Sequence, residues 1–522
     1  MFKITIILTL YVFWSVVSGE LKSSVDGIPS QMNFLFVIID DLRPTLGCYG
    51  DSRAYTPHLD RLARRSVLFE KAYAQQALCA PSRISLLTSR RPSSLRLYDT
   101  HSYWRNSVGN YSTMPQHLKN HGYRTASFGK VFHPGASCNG NDDSPYSWTE
   151  PAFHPYTQIY KDAPVCPSGS VRLASNLVCP VRVKSMPNAT LPDIETLQAA
   201  KAFLRTVARE EKPFFLSIGF HKPHVPLKYP KRYLKHHPRR KHHLPTNYQW
   251  PNNLTHLAYN PWMDLRLRDD VRKLALSCPW QKIPGRYARK IIQSYYAAVT
   301  YIDNLVGKLL YELELRALRN NTIVILTSDH GWSLGEHSEW AKYSNFEVAL
   351  RVPLLISVPG FSSARVREPV ELLDIFPTVA ELAGFPVSIC PRQRPPNLCS
   401  QGSSLLPLFR SSDRSQPLSD WKGIAISLYP RLDMEPVCEP DGDKPSLRHI
   451  RIMGYSIRTM NYRYTVWLPF SWRTNRPEWT KLLAEELYDH NLDVREMYNV
   501  AASADHQLQK QHLKNRLMNS LR

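Results

Sequence analysis

The chain has 522 residues, of which 43% are hydrophobic and 21% are charged. This length allows one large domain and a smaller one, and the composition excludes a short binding module, a largely disordered chain and a membrane protein with many spans. Lys and Arg outnumber Asp and Glu by 66 to 44, a net charge of +22. Such an excess indicates either a solvated basic surface or attraction to a polyanion such as nucleic acid, an anionic membrane surface or a sulfated glycan.

The N-terminus predicts a secretory signal peptide over residues 1–19. An early lysine precedes an apolar run over residues 4–17, and small residues follow at 18 and 19. A signal anchor is the alternative, but the run is short for a membrane span of about 20 residues. We therefore expect a protein of the secretory pathway with no nucleic-acid partner and no stable insertion in a membrane.

Four short apolar runs further along the chain predict buried strands. They cover residues 34–39, 123–128, 214–219 and 323–327. Runs of this length that are rich in Val, Ile and Phe are typical of strands covered on both faces. Polar residues that can do chemistry follow them: Asp40, Lys130, His221 and Asp329.

Helical patterns lie between these runs and predict an α/β fold with a large, mostly parallel sheet. The main ones cover residues 57–65, 193–210 and 286–318. In the last, apolar residues recur at three- and four-residue spacing and predict a stripe facing the core: Ile291, Tyr295, Ala298, Ile302, Val306 and Leu309. Because ligands of such sheets bind beyond the carboxyl ends of the strands, the four polar strand ends are expected to meet in one crevice.

From about Tyr429 onward, the pattern predicts a smaller α+β unit with an antiparallel sheet. Two strands over residues 450–458 and 462–467 flank a short turn, and a closing helix is expected over 481–487. We place a catalytic domain at residues 30–431 and a C-terminal subdomain at 432–522. The basic run H-H-P-R-R-K-H-H at residues 236–243 is expected to be an exposed loop, with contact to a polyanion as the lesser alternative.

Nine cysteines in a secretory context predict disulfides and leave at least one cysteine unpaired within the chain. Two pairs close short loops that contain proline and are predicted as local disulfides: Cys166 with Cys179, and Cys390 with Cys399. Glycosylation is predicted at the sequons that begin at Asn110, Asn188, Asn253 and Asn320.

Acidic residues at two strand ends predict a metal site. Asp40 and Asp41 follow one strand, and Asp329 with His330 follows another. Carboxylates brought together repel one another unless a cation holds them, and oxygen ligands favour Ca²⁺ or Mg²⁺. Taken alone, the Asp40-Asp41 pair is more typical of an ordinary turn or a helix start than of a metal site.

The most specific segment begins at Cys79, with C-A-P-S-R at residues 79–83 and L-T-x-R at 87–90. A cysteine just before Pro81 can lie at a helix N-terminus, where the dipole lowers the pKa of a thiol; a buried or disulfide-bonded cysteine is the alternative. The segment resembles the signature of type I sulfatases. In that family this cysteine is oxidised in the endoplasmic reticulum to formylglycine, whose hydrated aldehyde is the nucleophile.

The resemblance extends over nearly the whole mature chain and implies the alkaline-phosphatase-like sandwich fold of that family. The segments that carry it include residues 129–135, 142–148, 221–224, 259–264, 328–332, 339–346 and 453–459. They are similar to those of family members that remove the 2-O-sulfate from terminal iduronate in heparan sulfate and dermatan sulfate. The resemblance thus implies a lysosomal sulfuric ester hydrolase, with secretion as the alternative, that acts on a sulfated glycosaminoglycan after maturation by the formylglycine-generating enzyme.

Roles for individual residues also follow from the resemblance. The implied ligands of Ca²⁺ are Asp40, Asp41, the modified Cys79, Asp329 and His330. The implied catalytic and sulfate-binding groups are Arg83 and Lys130 beside the nucleophile, His133 for proton transfer, and His224 and Lys342 on the sulfate. Aromatic rings and Arg suit sugars and carboxylates, which adds three candidate substrate contacts: Trp332, Tyr343 and Arg458.

Ser89 departs from the family signature, which usually has glycine at that position. If the maturation enzyme requires glycine for close approach, oxidation of Cys79 would be partial. Two alternatives therefore stay open. One is another polysaccharide sulfatase or a phosphonate-type hydrolase with the same aldehyde and metal, and the other is a catalytically silent, secreted glycan-binding protein.

Overall fold

An eight-stranded sheet runs through the larger domain of this computed structural model, which describes residues 31–168, 172–251, 253–410 and 421–521. The predicted signal peptide lies outside the described residues. The strands are β1 (Asn33–Ile39), β2 (Val67–Tyr73), β3 (Arg124–Gly129), β4 (Cys166–Ser168), β5 (Arg172–Ala174), β6 (Val178–Val181), β7 (Phe214–Phe220), β8 (Leu227–Pro230), β9 (Thr322–Ser328), β10 (Ser333–Leu334), β11 (Trp340–Ala341), β12 (Arg351–Ser357), β13 (Ala364–Val366), β14 (Val370–Glu371), β15 (Ala425–Arg431), β16 (Ile452–Arg458), β17 (Tyr462–Ser471), β18 (Arg476–Pro477) and β19 (Ala484–Asp489). The helices are α1 (Pro57–Ala63), α2 (Cys79–Thr88), α3 (Pro92–Leu95), α4 (Trp104–Val108), α5 (Met114–Asn120), α6 (Pro192–Val207), α7 (Met263–Arg266), α8 (Asp269–Arg272), α9 (Gly285–Leu315), α10 (Glu347–Leu350), α11 (Ile375–Leu382), α12 (Leu406–Arg410) and α13 (Gln507–Leu521).

The large sheet is mostly parallel and has the order β13-β2-β12-β9-β1-β7-β3, with β14 beside β2. Strands β3, β7, β1 and β9 run parallel to one another, whereas β12 runs antiparallel to both β9 and β2. Alternate residues of β1 enter two different cores, with Leu35 and Val37 on one face and Phe34 and Phe36 on the other. The prediction of strands buried on both faces is confirmed.

Helices cover both faces of this sheet. The three predicted helices correspond to α1, α6 and α9, and α9 packs against both α1 and α6. Every residue of the predicted stripe from Ile291 to Leu309 is buried in the same core. The helical period therefore identified the face of α9 that packs on the sheet.

A second, antiparallel sheet forms the C-terminal region, with the order β15-β16-β17-β18 and β19 paired to β17. The two predicted strands are confirmed as β16 and β17. The helix predicted over 481–487 is wrong, because β19 occupies part of that segment and the closing helix is α13. Glu486 is a good helix former, but in β19 it accepts hydrogen bonds from Trp467 Nε1 and Tyr488 Oη at 2.5 Å each, so tertiary pairing overrides local propensity.

Strand β15 belongs to this second sheet although it precedes residue 432, so strand pairing crosses the predicted domain boundary. The basic run at 236–243 also differs from the expected exposed loop. His237 and His242 are fully buried, and His237 Nε2 lies 2.7 Å from Thr300 Oγ1 on α9. The lysine, the two arginines and His243 stay exposed, so only His237 and His242 are packed in the core.

Three disulfides are present among the described residues. The two predicted pairs, Cys166–Cys179 and Cys390–Cys399, are confirmed. A third bond, Cys278–Cys438, joins residues 160 apart in sequence and was not predicted. The free cysteines are Cys48, Cys79 and Cys138. Within the described ranges, no helix has the length and apolar character needed to cross a membrane.

Ser89 ends helix α2 in a left-handed conformation with φ of +51°. Its hydroxyl donates to the Leu373 carbonyl at 2.5 Å and lies 2.7 Å from Ser400 Oγ, next to the Cys390–Cys399 disulfide. The amide of Gly402 also donates to Ser89 Oγ at 3.3 Å. Glycine adopts this conformation without steric cost, and the serine offsets its cost with these buried hydrogen bonds.

Replacing Ser89 by alanine should therefore destabilise the protein, and Ser89→Gly should do so less. Alanine keeps the left-handed conformation and leaves buried groups without their partner, which costs about 1–3 kcal/mol. Glycine loses the same bonds but removes a backbone strain of about 1 kcal/mol. The free energy of unfolding of both variants, measured with denaturant, checks this order. The exposed Ser362→Ala is the control. Equal stability of Ser89→Ala and the parent chain would contradict it.

Candidate active site

The polar ends of four neighbouring strands meet at one edge of the sheet, as predicted. Asp40 follows β1, Asp329 follows β9, Lys130 follows β3 and His221 follows β7. Register aligns these ends, since Ile39 pairs with both Phe220 and Ser328, and Gly129 pairs with Gly219. Because the carboxyl ends of parallel strands lie at the same edge, residues far apart in sequence converge.

Cys79 lies at the centre of this edge, at the first position of α2. All ten residues of α2 are buried, and Cys79 itself is 3% exposed. Its sulfur is 3.0 Å from Lys342 Nζ, 3.4 Å from His330 Nε2 and 3.5 Å from Asp40 Oδ1. Burial, with the negative charge of Asp40, raises the pKa of the Cys79 thiol to about 12. The encoded side chain is therefore a neutral thiol near pH 7 and not an activated thiolate.

Buried ion pairs surround Cys79. Arg83 binds Asp329 through Nε at 2.8 Å and Asp40 through Nη2 at 3.1 Å. Lys130 Nζ lies 2.6 Å from Asp40 Oδ2, and on the other side Lys342 Nζ lies 2.7 Å from Asp41 Oδ1. Three cations thus lie against three carboxylates within a site that is closed to water except near His133 and His224.

The two adjacent aspartates have different electrostatic environments. Burial favours the neutral acid at both positions, but the charge of Lys130 and neighbouring cations holds the pKa of Asp40 well below its usual range. At Asp41, burial raises the pKa to about 7 against the opposing charge of Lys342. The neighbouring cations are therefore sufficient to hold Asp40 in its charged form but insufficient to do the same for Asp41.

The donor set fits a hard divalent cation. Ligand atoms of Asp40, Asp41, Cys79 and His330 all lie within 4.8 Å of one another. Asp41 Oδ2 is buried and makes no hydrogen bond among the described residues. A cation at this point would supply the positive charge that Asp41 lacks and would be a partner for its Oδ2 atom. Asp329 lies beside the group, with Oδ2 3.6 Å from His330 Nε2, and its carboxylate also binds Arg83.

His224 enters the site from a loop that two residues hold in place. Its Nε2 lies 4.0 Å from Asp41 Oδ2, and its Nδ1 is hydrogen-bonded to the Val225 carbonyl at 2.7 Å. Asp193, at the start of α6, accepts from the amides of His221 at 2.6 Å and Lys222 at 3.2 Å. Lys222 Nζ donates to the carbonyls of His224 and Pro226. The roles of Asp193 and Lys222 were not predicted from the sequence, because they depend on the contact between α6 and this loop.

The remaining predicted residues take different positions. His133 is partly exposed and has Nδ1 3.2 Å from Ser137 Oγ. Lys342 Nζ lies 5.8 Å from the ring centre of Trp332 and 5.9 Å from that of Tyr343. The Tyr343 hydroxyl donates to Asp264, whose place in the site was not predicted from the sequence.

Arg458 lies apart from the contacts around Cys79. It is 2% exposed, binds Glu347 at 3.1 Å and contacts His490 at 2.8 Å. A substrate carboxylate could reach its guanidinium only if this buried pair opened. Arg458 therefore has a structural role in this structure, and its predicted contact with substrate stays a prediction.

Comparison with known proteins gives the family. The model of the family described as Sulfatase matches residues 32–385. Iduronate 2-sulfatase of Homo sapiens is 46% identical, with 93% of this chain and 94% of that protein covered, and iduronate 2-sulfatase of Mus musculus is 45% identical with the same coverage. The solved phosphonate monoester hydrolase of Agrobacterium radiobacter is similar in fold, with a TM-score of 0.67, 20% identity and coverage of 94% of this chain and 95% of that chain.

The match to the family model spans most of the large domain, and the similarity to both relatives covers more of the chain than that match does. The family resemblance predicted from the Cys79 segment is thereby confirmed. The chain belongs to the sulfatase family.

Proposed function

We propose that this protein hydrolyses the 2-O-sulfate ester of terminal iduronate in heparan sulfate and dermatan sulfate. The observation that carries the proposal is the cluster of Cys79 with three carboxylates and three cations, in a chain 46% identical to iduronate 2-sulfatase of Homo sapiens. The net charge of +22 supports encounter with a sulfated polysaccharide.

Cys79 is proposed to be converted to formylglycine by the maturation enzyme of the secretory pathway. The hydrated aldehyde supplies a nucleophilic oxygen and can later release sulfate by returning to the aldehyde. The pKa of about 12 for the encoded thiol supports this proposal, because a neutral buried thiol is a poor nucleophile. Arg83 and Lys130 would stay beside the new oxygen atoms, held by Asp40 and Asp329.

Asp40, Asp41, Asp329, His330 and the modified residue 79 are proposed to hold Ca²⁺. When bound, the ion supplies a Lewis acid that stabilises negative charge on sulfate oxygens and on the nucleophile. The uncompensated Asp41 carboxylate supports this assignment. Aspartate oxygens are ligands typical of Ca²⁺, and the described part of the site lacks the all-His/Cys set that zinc favours.

Three further side chains have proposed roles in binding and proton transfer. Lys342 and His224 would bind the nonbridging sulfate oxygens, because both point at the Asp41 side of the cluster. Burial and the charge of Lys130 lower the pKa of His133 well below its usual range, so its imidazole is neutral and could take the proton whose removal from the sulfated diol expels sulfate. Trp332 and Tyr343 flank Lys342 and are proposed to contact the sugar.

The protein is proposed to act in the lysosome after passage through the secretory pathway, or to be secreted. Three disulfides support an oxidising route of folding. The four predicted glycosylation sites, Asn110, Asn188, Asn253 and Asn320, are all exposed and therefore accessible to glycosylation.

Protein expressed in secreting eukaryotic cells should contain formylglycine at position 79 and should release sulfate from iduronate 2-sulfate at the end of a glycosaminoglycan chain. Peptide mass spectrometry and a panel of defined sulfated sugars with an aryl phosphonate measure both properties. Cys79→Ser should reduce turnover to background, because the aldehyde cannot form, while Cys48→Ser serves as a matched control with a free cysteine outside the site.

The panel separates the proposed function from its alternatives. Preference for a different sulfated sugar or for the phosphonate would replace the proposed substrate. Unmodified cysteine and no turnover, in cells that modify a control sulfatase, would favour the silent glycan-binding protein. Near-normal turnover by folded Cys79→Ser would contradict the mechanism.

Adding Ca²⁺ to protein stripped with a chelator should raise its melting temperature and restore turnover. Binding stabilises the folded state by about 2.7 kcal/mol at a free concentration of 100 times the dissociation constant. Asp41→Asn should lose most of the thermal shift because it removes a charged ligand, whereas the exposed Asp433→Asn should keep it. An identical calcium shift in Asp41→Asn and the parent chain would exclude this residue as a ligand.

A further inference from the structure

Lys161 is a cation without a partner near the candidate active site. It directly follows the single-turn 3-10 helix Tyr156–Tyr160, and its side chain is half-buried. Its Nζ makes no hydrogen bond or ion pair with any residue in the described ranges. A partly desolvated ammonium group without a counterion is unfavourable, so its surroundings decide what it can do.

The two carboxylates that face Lys161 already have other partners. Asp162 binds Arg268 at 2.6 Å, and Asp264 binds Lys444 at 2.7 Å as well as the Tyr343 hydroxyl. Both acids favour the charged form of Lys161, but each is shared with a cation that lies closer. No carboxylate in the described part of the chain therefore neutralises the charge of Lys161.

Electrostatic interactions connect Lys161 to the candidate active site. Burial lowers the pKa of Lys161, and the positive charge of Lys130 lowers it further. Burial likewise lowers the pKa of His224, and Lys161 is among the cations that add to this effect. Because such interactions weaken with distance, Lys161 belongs to the same positively charged region as the sulfate-binding residues.

Hydrogen bonds hold the backbone at Lys161, whereas its side chain makes no hydrogen bond or ion pair with a described residue. Lys228 Nζ donates to the carbonyls of Tyr160 at 2.8 Å and Lys161 at 2.9 Å. Thr157, in the preceding 3-10 helix, donates to Glu195 of α6 at 2.5 Å. Lys161 also lines a small cavity of about 40 Å³, together with Asp193 and Lys222, which hold the loop of His224. A fixed backbone with an unpaired ammonium group is an arrangement suited to binding an anion.

We propose that Lys161 binds a second anionic group of the substrate, a carboxylate or a sulfate other than the ester that is hydrolysed. This inference rests on the proposed function and deepens it, because terminal sugars of sulfated glycosaminoglycans carry several anionic groups. Lys161 does not touch the reacting sulfate. It selects substrates with a second negative charge over small esters with one, through a charge-assisted hydrogen bond.

Lys161→Met tests this selection through a ratio of rates. We expect the ratio of kcat/KM for a sulfated disaccharide to kcat/KM for a small aryl sulfate to fall about tenfold, the effect of losing roughly one charge-assisted hydrogen bond. Lys161→Arg should retain most of the ratio. Lys235→Met, which removes an exposed lysine outside the site, is the matched control and should leave the ratio unchanged. Melting temperatures confirm folding, and Lys161→Gln replaces the methionine variant if that variant fails to fold.

Two modified disaccharides identify the group that is bound. One has the uronate carboxylate reduced to an alcohol, and the other has no sulfate on the neighbouring sugar. On one of these two substrates, Lys161→Met should no longer lower the rate. The anionic group that this substrate lacks is the partner of Lys161. An unchanged ratio, or an equal loss on every substrate including the aryl sulfate, would overturn the inference.

Binding measurements separate this inference from the proposed function. If the parent protein does not hydrolyse iduronate 2-sulfate, the proposed function fails. Calorimetry with the same disaccharides on the Cys79→Ser protein then decides the inference, because a tenfold weaker affinity in the Lys161→Met background supports it and an equal affinity overturns it. If the parent protein is active and the ratio is unchanged, only the inference fails.

Discussion

The structure depends on neutralising a group of buried charges at one edge of the large sheet. Removing an ion from water costs several kcal/mol even after relaxation, so Asp40, Asp41 and Asp329 are tolerated together only with compensating cations. Arg83 binds two of these acids at once and thereby fixes the position of α2 relative to β1 and β9. Because the negative charge of Asp41 is only partly compensated, an additional cation would stabilise this group of charges.

The C-terminal sheet contributes to the same arrangement from outside. Lys342 and Glu347 lie on one connection that leads into β12, and Glu347 binds Arg458 at 3.1 Å and Arg463 at 2.6 Å. Glu496 accepts from the amide of Glu347 and binds Arg463, each within 2.7 Å. This buried network links the second sheet to the segment that carries Lys342. The smaller subdomain therefore supports the geometry of the active site.

Prearranged charge suits the proposed reaction. Sulfuryl transfer places negative charge on oxygens that Arg83, Lys130 and Lys342 can stabilise without moving, since their partners already hold them. The encoded thiol contributes little to this chemistry because burial keeps it protonated. Formylglycine at position 79 would place its oxygens among positive charges that the folded chain has already positioned.

The sequence by itself determined the strands of the parallel sheet and most of the site, because apolar runs followed by polar residues predict both a buried strand and the edge where it ends. Pairings between distant residues were decided only by the tertiary structure. The Cys278–Cys438 bond, the strand at Glu486 and the burial of His237 each depend on a partner that local sequence does not specify. The unpaired state of Lys161 has the same origin. Arg268 binds Asp162 and Lys444 binds Asp264, and only the folded chain brings these cations next to the two carboxylates.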